Sequence, residues 1–232
     1  MSAHGLFALA FIAILMLGSS PQSNLLRGLD KKHPMQIDKA AKEIRILAEF
    51  QPGAFSGFLK WTPNYHAVVW KKGKAAREAL FAAYIDDLSF YDALQEIGAV
   101  PGNNLTQATW DERKNPKSHA PDTRIAGTPV ELWVWWPRLT RPIPFDSLLL
   151  DPGGRGLDLR FGGNKALIPK WKSGCIVCLY SCPGSKVGNH AYTVRDYVKG
   201  TTHFQVNKKI APRKKTTAVL IFRLGSGANT GL

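Results

Sequence analysis

Two apolar segments with a period of two constrain the fold of this chain most strongly. Residues 43–50 (EIRILAEF) place Ile44, Ile46 and Phe50 on one face, and residues 129–136 (PVELWVWW) alternate in the same way. A period of two is typical of a β-strand. Aromatic residues on both faces of the second segment indicate a central strand covered on both sides, with an aromatic binding surface as the alternative.

Further strand-like segments occur elsewhere in the chain. Residues 66–70 and 78–83 flank a basic turn at 71–74, and this arrangement predicts a hairpin. Two late strands are expected at residues 202–207 and 218–224.

Helical signals are few. Residues 86–98 carry apolar side chains at helical spacing, with Ser89 as the expected N-cap. Residues 145–151 predict a second, short helix capped by Asp146, and the polar segment 103–128 is expected to be a surface loop. The fold class is therefore α+β and mostly β: a decorated β-sandwich or an antiparallel-sheet domain with one or two helices.

The first residues of the chain have the composition of a targeting segment. Residues 6–17 form a continuous apolar run that is short for a bilayer span but typical of a signal peptide. We expect residues 1–23 to be a signal peptide or N-terminal membrane anchor, residues 24–34 a linker, residues 35–224 a single domain and residues 225–232 a flexible tail. This organisation predicts a periplasmic or extracellular protein that is free or membrane-anchored.

Charge is the most unusual property of the composition. The formal net charge is +14, and residues 165–223 contain twelve Lys or Arg residues but a single acid, Asp196. Such a field attracts anions, so the expected partner is an acidic protein or an anionic membrane surface, within a larger membrane-associated complex. Export makes nucleic acid an improbable partner. A solvated basic face that only maintains solubility is the alternative.

All three cysteines fall within eight residues, at Cys175, Cys178 and Cys182. Their spacing and the proline that follows are similar to part of a bacterial ferredoxin run, which predicts an iron–sulfur cluster, with one ligand missing. A single zinc or copper ion is the next hypothesis, with His190 completing a Cys3His set. No cofactor is needed if two of the thiols form a structural disulfide, which would make the chain a disulfide-stapled interaction module or a subunit of a larger cell-envelope complex. Thiol redox chemistry at Cys175 and Cys178 is the third hypothesis.

No other motif for catalysis is present, so no enzyme activity is predicted. Nucleophile-elbow, P-loop and zinc-protease patterns are all absent from the sequence. Four further histidines are scattered, and each is expected to be an ordinary surface or core residue: His33, His66, His119 and His203.

Several motifs together carry a resemblance to a known family. The matching residues are His33-Pro34-x-x-Ile37-Asp38, Gly127-x-Pro129-Val130, Phe161-Gly162-Gly163-Asn164, Ser173-Gly174-Cys-x-x-Cys-Leu-Tyr-Ser-Cys182, Gly188-Asn189 and Tyr192-Thr-Val-Arg195-Asp196-Tyr197. Over residues 34–224 the chain resembles the bacterial YdjY-type domain family, and the cysteine stretch is the specific part. The resemblance implies an exported accessory protein. Members are often labelled ferredoxin-like or iron–sulfur-binding, a label that itself derives from the cysteines.

Overall fold

The computed structural model describes residues 25–55, 64–115 and 117–225. The expected targeting segment at residues 1–23 and the end of the tail at 226–232 lie outside them. Strands in chain order are β1 (Met35–Asp38), β2 (Glu43–Phe50), β3 (His66–Trp70), β4 (Phe81–Ala83), β5 (Val130–Trp135), β6 (Ile143–Pro144), β7 (Leu149–Leu150), β8 (Leu159–Phe161), β9 (Cys175–Cys178), β10 (Val187–Asn189), β11 (Gln205–Val206) and β12 (Thr217–Leu224). Helices are α1 (Asp87–Glu96), α2 (Gln107–Arg113), α3 (Ile168–Trp171) and α4 (Val194–Val198), with 3-10 turns at Pro52–Phe55, Ala76–Glu78 and Phe145–Leu148.

One large sheet dominates the described part of the chain. Its strand order is β6-β5-β12-β2-β4-β3-β9-β10-β8, with β1 paired to β2, while β7 and β11 form a separate two-stranded sheet. The large sheet curls, because Pro129, just before β5, bridges Arg160 of β8. The Phe161 amide also donates a hydrogen bond to the Thr128 carbonyl at 2.8 Å. The mostly β, α+β class is confirmed, with one curled sheet as its main element.

The strands with period-two patterns form the regular part of this sheet. β2 covers the segment expected from its alternation, and its Ile44, Ile46 and Phe50 are buried in the main core. β12 pairs antiparallel with β2 on one side and β5 on the other, without a register shift. A second apolar cluster covers the opposite face and includes Trp135, so β5 is buried partly on both faces.

Helix α1 packs inside the curl. Its Phe90 ring lies 4.6 Å from that of Phe222 on β12, and its Tyr91 ring lies 4.9 Å from that of Phe161 on β8. β12 and β8 are far apart in the strand order, so one helix can touch both only because the sheet bends around it. None of the helices in the described ranges is long and apolar enough to cross a membrane.

Some local expectations are wrong. β3 and β4 pair in parallel rather than as a hairpin, because a 3-10 turn at Ala76–Glu78 carries the chain back before β4 begins. The N-cap of α1 is Asp86, whose carboxylate accepts the Ser89 amide at 2.8 Å, so Ser89 lies inside the helix. The second short helix is only a 3-10 turn without a side-chain cap, followed by β7.

Two segments expected to be irregular are structured. The loop at residues 103–128 contains α2, which begins with a capping box at Thr106 and Thr109. In the expected linker, Leu29 is 7% exposed and packs with the second cluster, which includes Leu47 and Trp135.

Candidate functional site: a buried thiol cluster

Strand β9, which carries Cys175 and Cys178, lies between β3 and β10 in the large sheet. In a regular strand, residues three positions apart point to opposite faces. The pairing of β9 with β3 is irregular, however, with register shifts between His66 and Val68 and between Val68 and Val69. These shifts bring Cys175 and Cys178 close enough for each thiol to affect the acidity of the other.

Close packing of two glycines fixes the start of this strand. Gly174 has a φ of +73°, and a Cβ there would lie 2.6 Å from the Gly73 Cα. The same segment accepts the Trp70 amide through the Gly174 carbonyl at 2.8 Å. A larger residue at position 174 would therefore push β9 away from β3.

The three cysteines are free thiols, and each is at least 96% buried, since the most exposed of them is Cys182 at 4%. Cys178 interacts with the thiols of both Cys175 and Cys182. The hydrogen bond from Cys178, opposed by burial and helped by His66, lowers the pKa of Cys175 to about 5. Burial raises the pKa of Cys178 well above its ordinary range, so Cys178 remains the proton donor.

His66, on β3, is the nearest basic side chain to Cys175. Its Nδ1 lies 3.4 Å from Cys175 Sγ, and its Nε2 lies 3.8 Å from Oε2 of Glu78. Burial alone would lower the pKa of His66, but Cys175, Cys182 and Glu78 together outweigh burial, and the pKa lies above its ordinary value. Cys175, His66 and Glu78 are thus arranged as the nucleophile, base and carboxylate of an activated-nucleophile triad. The two distances are longer than ordinary hydrogen bonds, as is common in sites without a bound substrate.

A small pocket reaches this triad from outside. Its volume is about 160 Å³, and His66, Cys175 and Cys182 form part of its wall. Aromatic rings enclose it: Tyr65, Trp110 and Trp171. Gly184 is required beside them, because a Cβ there would lie 2.2 Å from the Trp171 ring.

Behind the thiols lies a buried ion pair. Lys186 Nζ is hydrogen-bonded to the Asp87 carboxylate and lies 3.4 Å from the Gly184 carbonyl oxygen. Lys186 is fully buried and Asp87 is 7% exposed. The positive charge of Lys186 also contributes to lowering the pKa of Cys175.

A buried arginine anchors helix α2 to the cysteine loop, the segment between β9 and β10 that contains Cys182. Arg113, 1% exposed, is hydrogen-bonded to the Ser181 carbonyl oxygen and lies 3.6 Å from Asp122. The Ser181 hydroxyl in turn donates to the Asn189 carbonyl at 2.9 Å and accepts the Ile125 amide at 2.9 Å. This network holds the loop between β9 and β10 against the sheet.

The residues expected to form the site are therefore only partly together. Cys175, Cys178 and Cys182 form one cluster, whereas His190 makes a 2.7 Å contact from its Nδ1 to the Ile125 carbonyl and does not line the pocket. The described residues contain no group of three or more His, Cys, Asp or Glu side chains arranged to hold a metal ion. The histidine beside the thiols is His66.

Three contributors to the site were missed from the sequence. His66 and Glu78 are 109 and 97 positions before Cys175, and no motif links them to it. Trp110 lies on α2, inside the segment expected to be a loop. The one sequence signal was the position of His66 at the start of the apolar segment HAVVW, which forms strand β3.

Fold and site together define a class: a mostly β domain with a curled mixed sheet and a buried, reduced thiol cluster beside a histidine. The YdjY domain model matches residues 35–223. The chain is also 30% identical over 227 residues to the uncharacterized protein YdjY of Escherichia coli (strain K12), covering 95% of this chain and 94% of that protein. The chain therefore belongs to the YdjY domain family. No solved structure matches it.

Proposed function

We propose that this chain is a thiol-based redox protein in which Cys175 is the attacking sulfur and His66, oriented by Glu78, is its proton partner. The contact of 3.4 Å between His66 Nδ1 and Cys175 Sγ carries the proposal. A histidine within reach of a cysteine, with a carboxylate on the other ring nitrogen, is the arrangement that activates a thiol for attack. The adjoining pocket supplies access to Cys175.

Cys178 has the features of a resolving thiol. It interacts with the Cys175 thiol and has a pKa raised well above its ordinary range, whereas the pKa of Cys175 is lowered to about 5. The thiolate attacks one sulfur of a substrate disulfide, an S–S bond forms to Cys175, and the other substrate sulfur leaves and takes a proton from His66. Cys178 then loses its proton and attacks Cys175 Sγ, releasing the second substrate thiol. The protein loses two electrons as a Cys175–Cys178 disulfide, and the substrate disulfide gains them as two thiols.

The test is a redox titration of the full chain in glutathione buffers, followed by alkylation under denaturing conditions and peptide mass spectrometry. A single reversible disulfide between Cys175 and Cys178 is expected. Cys175→Ser and Cys178→Ser should abolish it, and the matched variant Cys182→Ser should retain it. If all three thiols are alkylated even in the most oxidising buffer, the proposal fails.

A second candidate is the binding of a soft metal ion or an iron–sulfur cluster. The observation in its favour is the donor set, since three thiols and one imidazole are the ligands of many structural zinc sites. Cys175, Cys178, Cys182 and His66 would hold the ion, which would supply structural stability there. Binding would require these side chains to move, because the described arrangement is not that of a metal site.

Metal content distinguishes the two candidates. The full chain would be purified without oxygen, and iron, zinc and copper measured by elemental mass spectrometry together with the visible spectrum. The metal candidate expects one stoichiometric ion or cluster that His66→Ala loses and His190→Ala keeps. Retention in His66→Ala with loss in His190→Ala would instead support His190 as the fourth ligand. Metal-free protein would exclude this candidate.

A further inference from the structure

A second, larger pocket lies beside the segment that leads into strand β9. Its volume is about 610 Å³, within the range of small-molecule sites. One wall comes from the adjoining ends of β3 and β9, at Trp70 and Gly174, and the other from the start of α1 and from α3, at Leu88 and Ile168. Cys175, Cys178 and Cys182 do not line it, so it is separate from the thiol site.

The interior of this pocket is apolar. Trp70, Leu88, Ile168 and Pro169 supply carbon surface. Leu88 is 43% exposed, which is unusual for a leucine next to other apolar side chains. Exposed apolar surface inside a concavity indicates a ligand with an apolar body.

Lysines surround this apolar interior. Lys72, Lys74, Lys165 and Lys172 all line the pocket. Lys165 is paired with Asp92 at 2.6 Å, whereas the other three form no ion pair with any acid in the described ranges. All four are exposed.

The single acid in the wall does not offset this charge. Asp87 is already bound to the fully buried Lys186. Lys72, Lys74 and Lys172, which no acid in the described ranges pairs with, therefore give the entrance a positive field that favours a ligand with negative charge. A cationic ligand would be repelled by these lysines, and a neutral ligand would gain no electrostatic stabilisation from them.

We propose that this lysine-rimmed pocket, formed by Trp70, Leu88 and Ile168 with Lys72, Lys74 and Lys172, binds a small anionic amphiphile. The ligand has an apolar chain or ring that rests on Trp70, Leu88 and Ile168. Its carboxylate, phosphate or sulfonate head group lies among Lys72, Lys74 and Lys172. This proposal does not depend on the redox proposal for Cys175.

The first experiment compares head groups on one apolar chain. Dodecanoate, dodecanol and dodecyltrimethylammonium would be titrated into the full chain by calorimetry, each below its micelle concentration. Dodecanoate should bind at one site, with an affinity that falls as salt is added, and the cation should not bind. Equal binding of all three probes, or no binding of dodecanoate, would overturn the proposal.

The second experiment locates the site with charge-reversal variants. Lys72→Glu combined with Lys74→Glu should weaken dodecanoate binding at least about tenfold, a difference of about 1.4 kcal/mol. Lys208→Glu combined with Lys209→Glu, which makes the same change on an exposed turn elsewhere, is the matched control and should have little effect. An equal loss in both variants would show that only the overall charge matters.

Further variants separate the alternatives. Leu88→Asp should abolish binding with an unchanged circular dichroism spectrum, and Cys175→Ser should leave binding intact. Sedimentation with vesicles of anionic phospholipid tests a membrane surface as the source of the head group. Binding to vesicles without binding of monomeric dodecanoate would contradict a small-molecule site.

Discussion

The two halves of the curled sheet differ in how they are built. In the half formed by β2, β5 and β12, long antiparallel strands pair without register shifts and bury apolar side chains, and Glu43 is its buried acid. In the half formed by β3, β9 and β10, pairing is irregular or parallel, and the buried polar residues include His66, Lys186 and Asn189. The first half supplies the framework, and the second places reactive groups.

The difference shows what each half needs in order to fold. The half formed by β2, β5 and β12 is stabilised mainly by the burial of apolar side chains and tolerates small losses of packing. The half formed by β3, β9 and β10, called the cysteine half because β9 carries Cys175 and Cys178, buries charged and polar groups. Each of these groups costs free energy unless it has a hydrogen-bond or ion-pair partner. Substitutions in the cysteine half should therefore be more severe, as four predictions state.

The largest effect is expected for the buried ion pair. Lys186→Met leaves the Asp87 carboxylate buried without its partner, so the free energy of unfolding should fall by about 3 to 5 kcal/mol in urea denaturation. Lys165→Met is the matched control, because its pair with Asp92 is more than half exposed on both sides and its loss should change stability far less. Equal losses in the two variants would contradict the argument that burial makes the Lys186–Asp87 pair costly to break.

The next effect concerns Asn189, whose side-chain oxygen accepts the Asp158 amide at 2.9 Å and the Ala191 amide at 3.0 Å. Asn189→Ala leaves both donors without a protein partner and should cost about 1 to 3 kcal/mol. The matched control is Asn115→Ala, which removes the hydrogen bond that the Lys117 amide donates to the Asn115 side chain. This bond is exposed, so water can replace it. Thermal unfolding of both variants checks this difference, which disappears if water fills the Asn189 site.

A third prediction concerns the acidity of Cys175. Its folded-state pKa of about 5 lies below the ordinary 9.0, so thiolate stabilises the fold above pH 9.0 and this contribution disappears as pH falls through about 5. His66→Ala removes the adjacent positive charge, so the midpoint should rise by at least about one pH unit, or about 1.4 kcal/mol. Thiolate ultraviolet absorbance against pH measures it.

His190→Ala is the control for that titration, because His190 does not line the thiol pocket. Its midpoint should equal that of the unmodified chain. A titration that is unchanged in His66→Ala would mean that His66 does not act on Cys175.

The smallest effect is expected in the regular half. Ile44→Val removes one buried methylene from β2 and should cost about 0.5 to 1.5 kcal/mol, because neighbouring apolar side chains can relax around the gap. Urea denaturation measures the loss, and the Cys175 titration should not move. A shifted titration midpoint would show that the two halves are coupled.

Much of the framework could be predicted from the sequence, because the alternation along β2 and β5 and the apolar run of β12 are local properties of the sequence. The position of α1 followed from local periodicity in the same way, although its cap did not. The parallel pairing of β3 with β4 could not be predicted, since strand direction depends on the path of the intervening chain.

For the site, the sequence alone determined that Cys175, Cys178 and Cys182 lie together, because eight residues cannot separate them far. Only the tertiary structure decided which histidine joins them. His66 is 109 positions from Cys175 in the sequence, yet the β3–β9 pairing brings its ring to the thiol, while His190, much closer in sequence, faces Ile125. Strand pairing, with its register shifts, is set by packing over the whole sheet, and no local pattern encodes it.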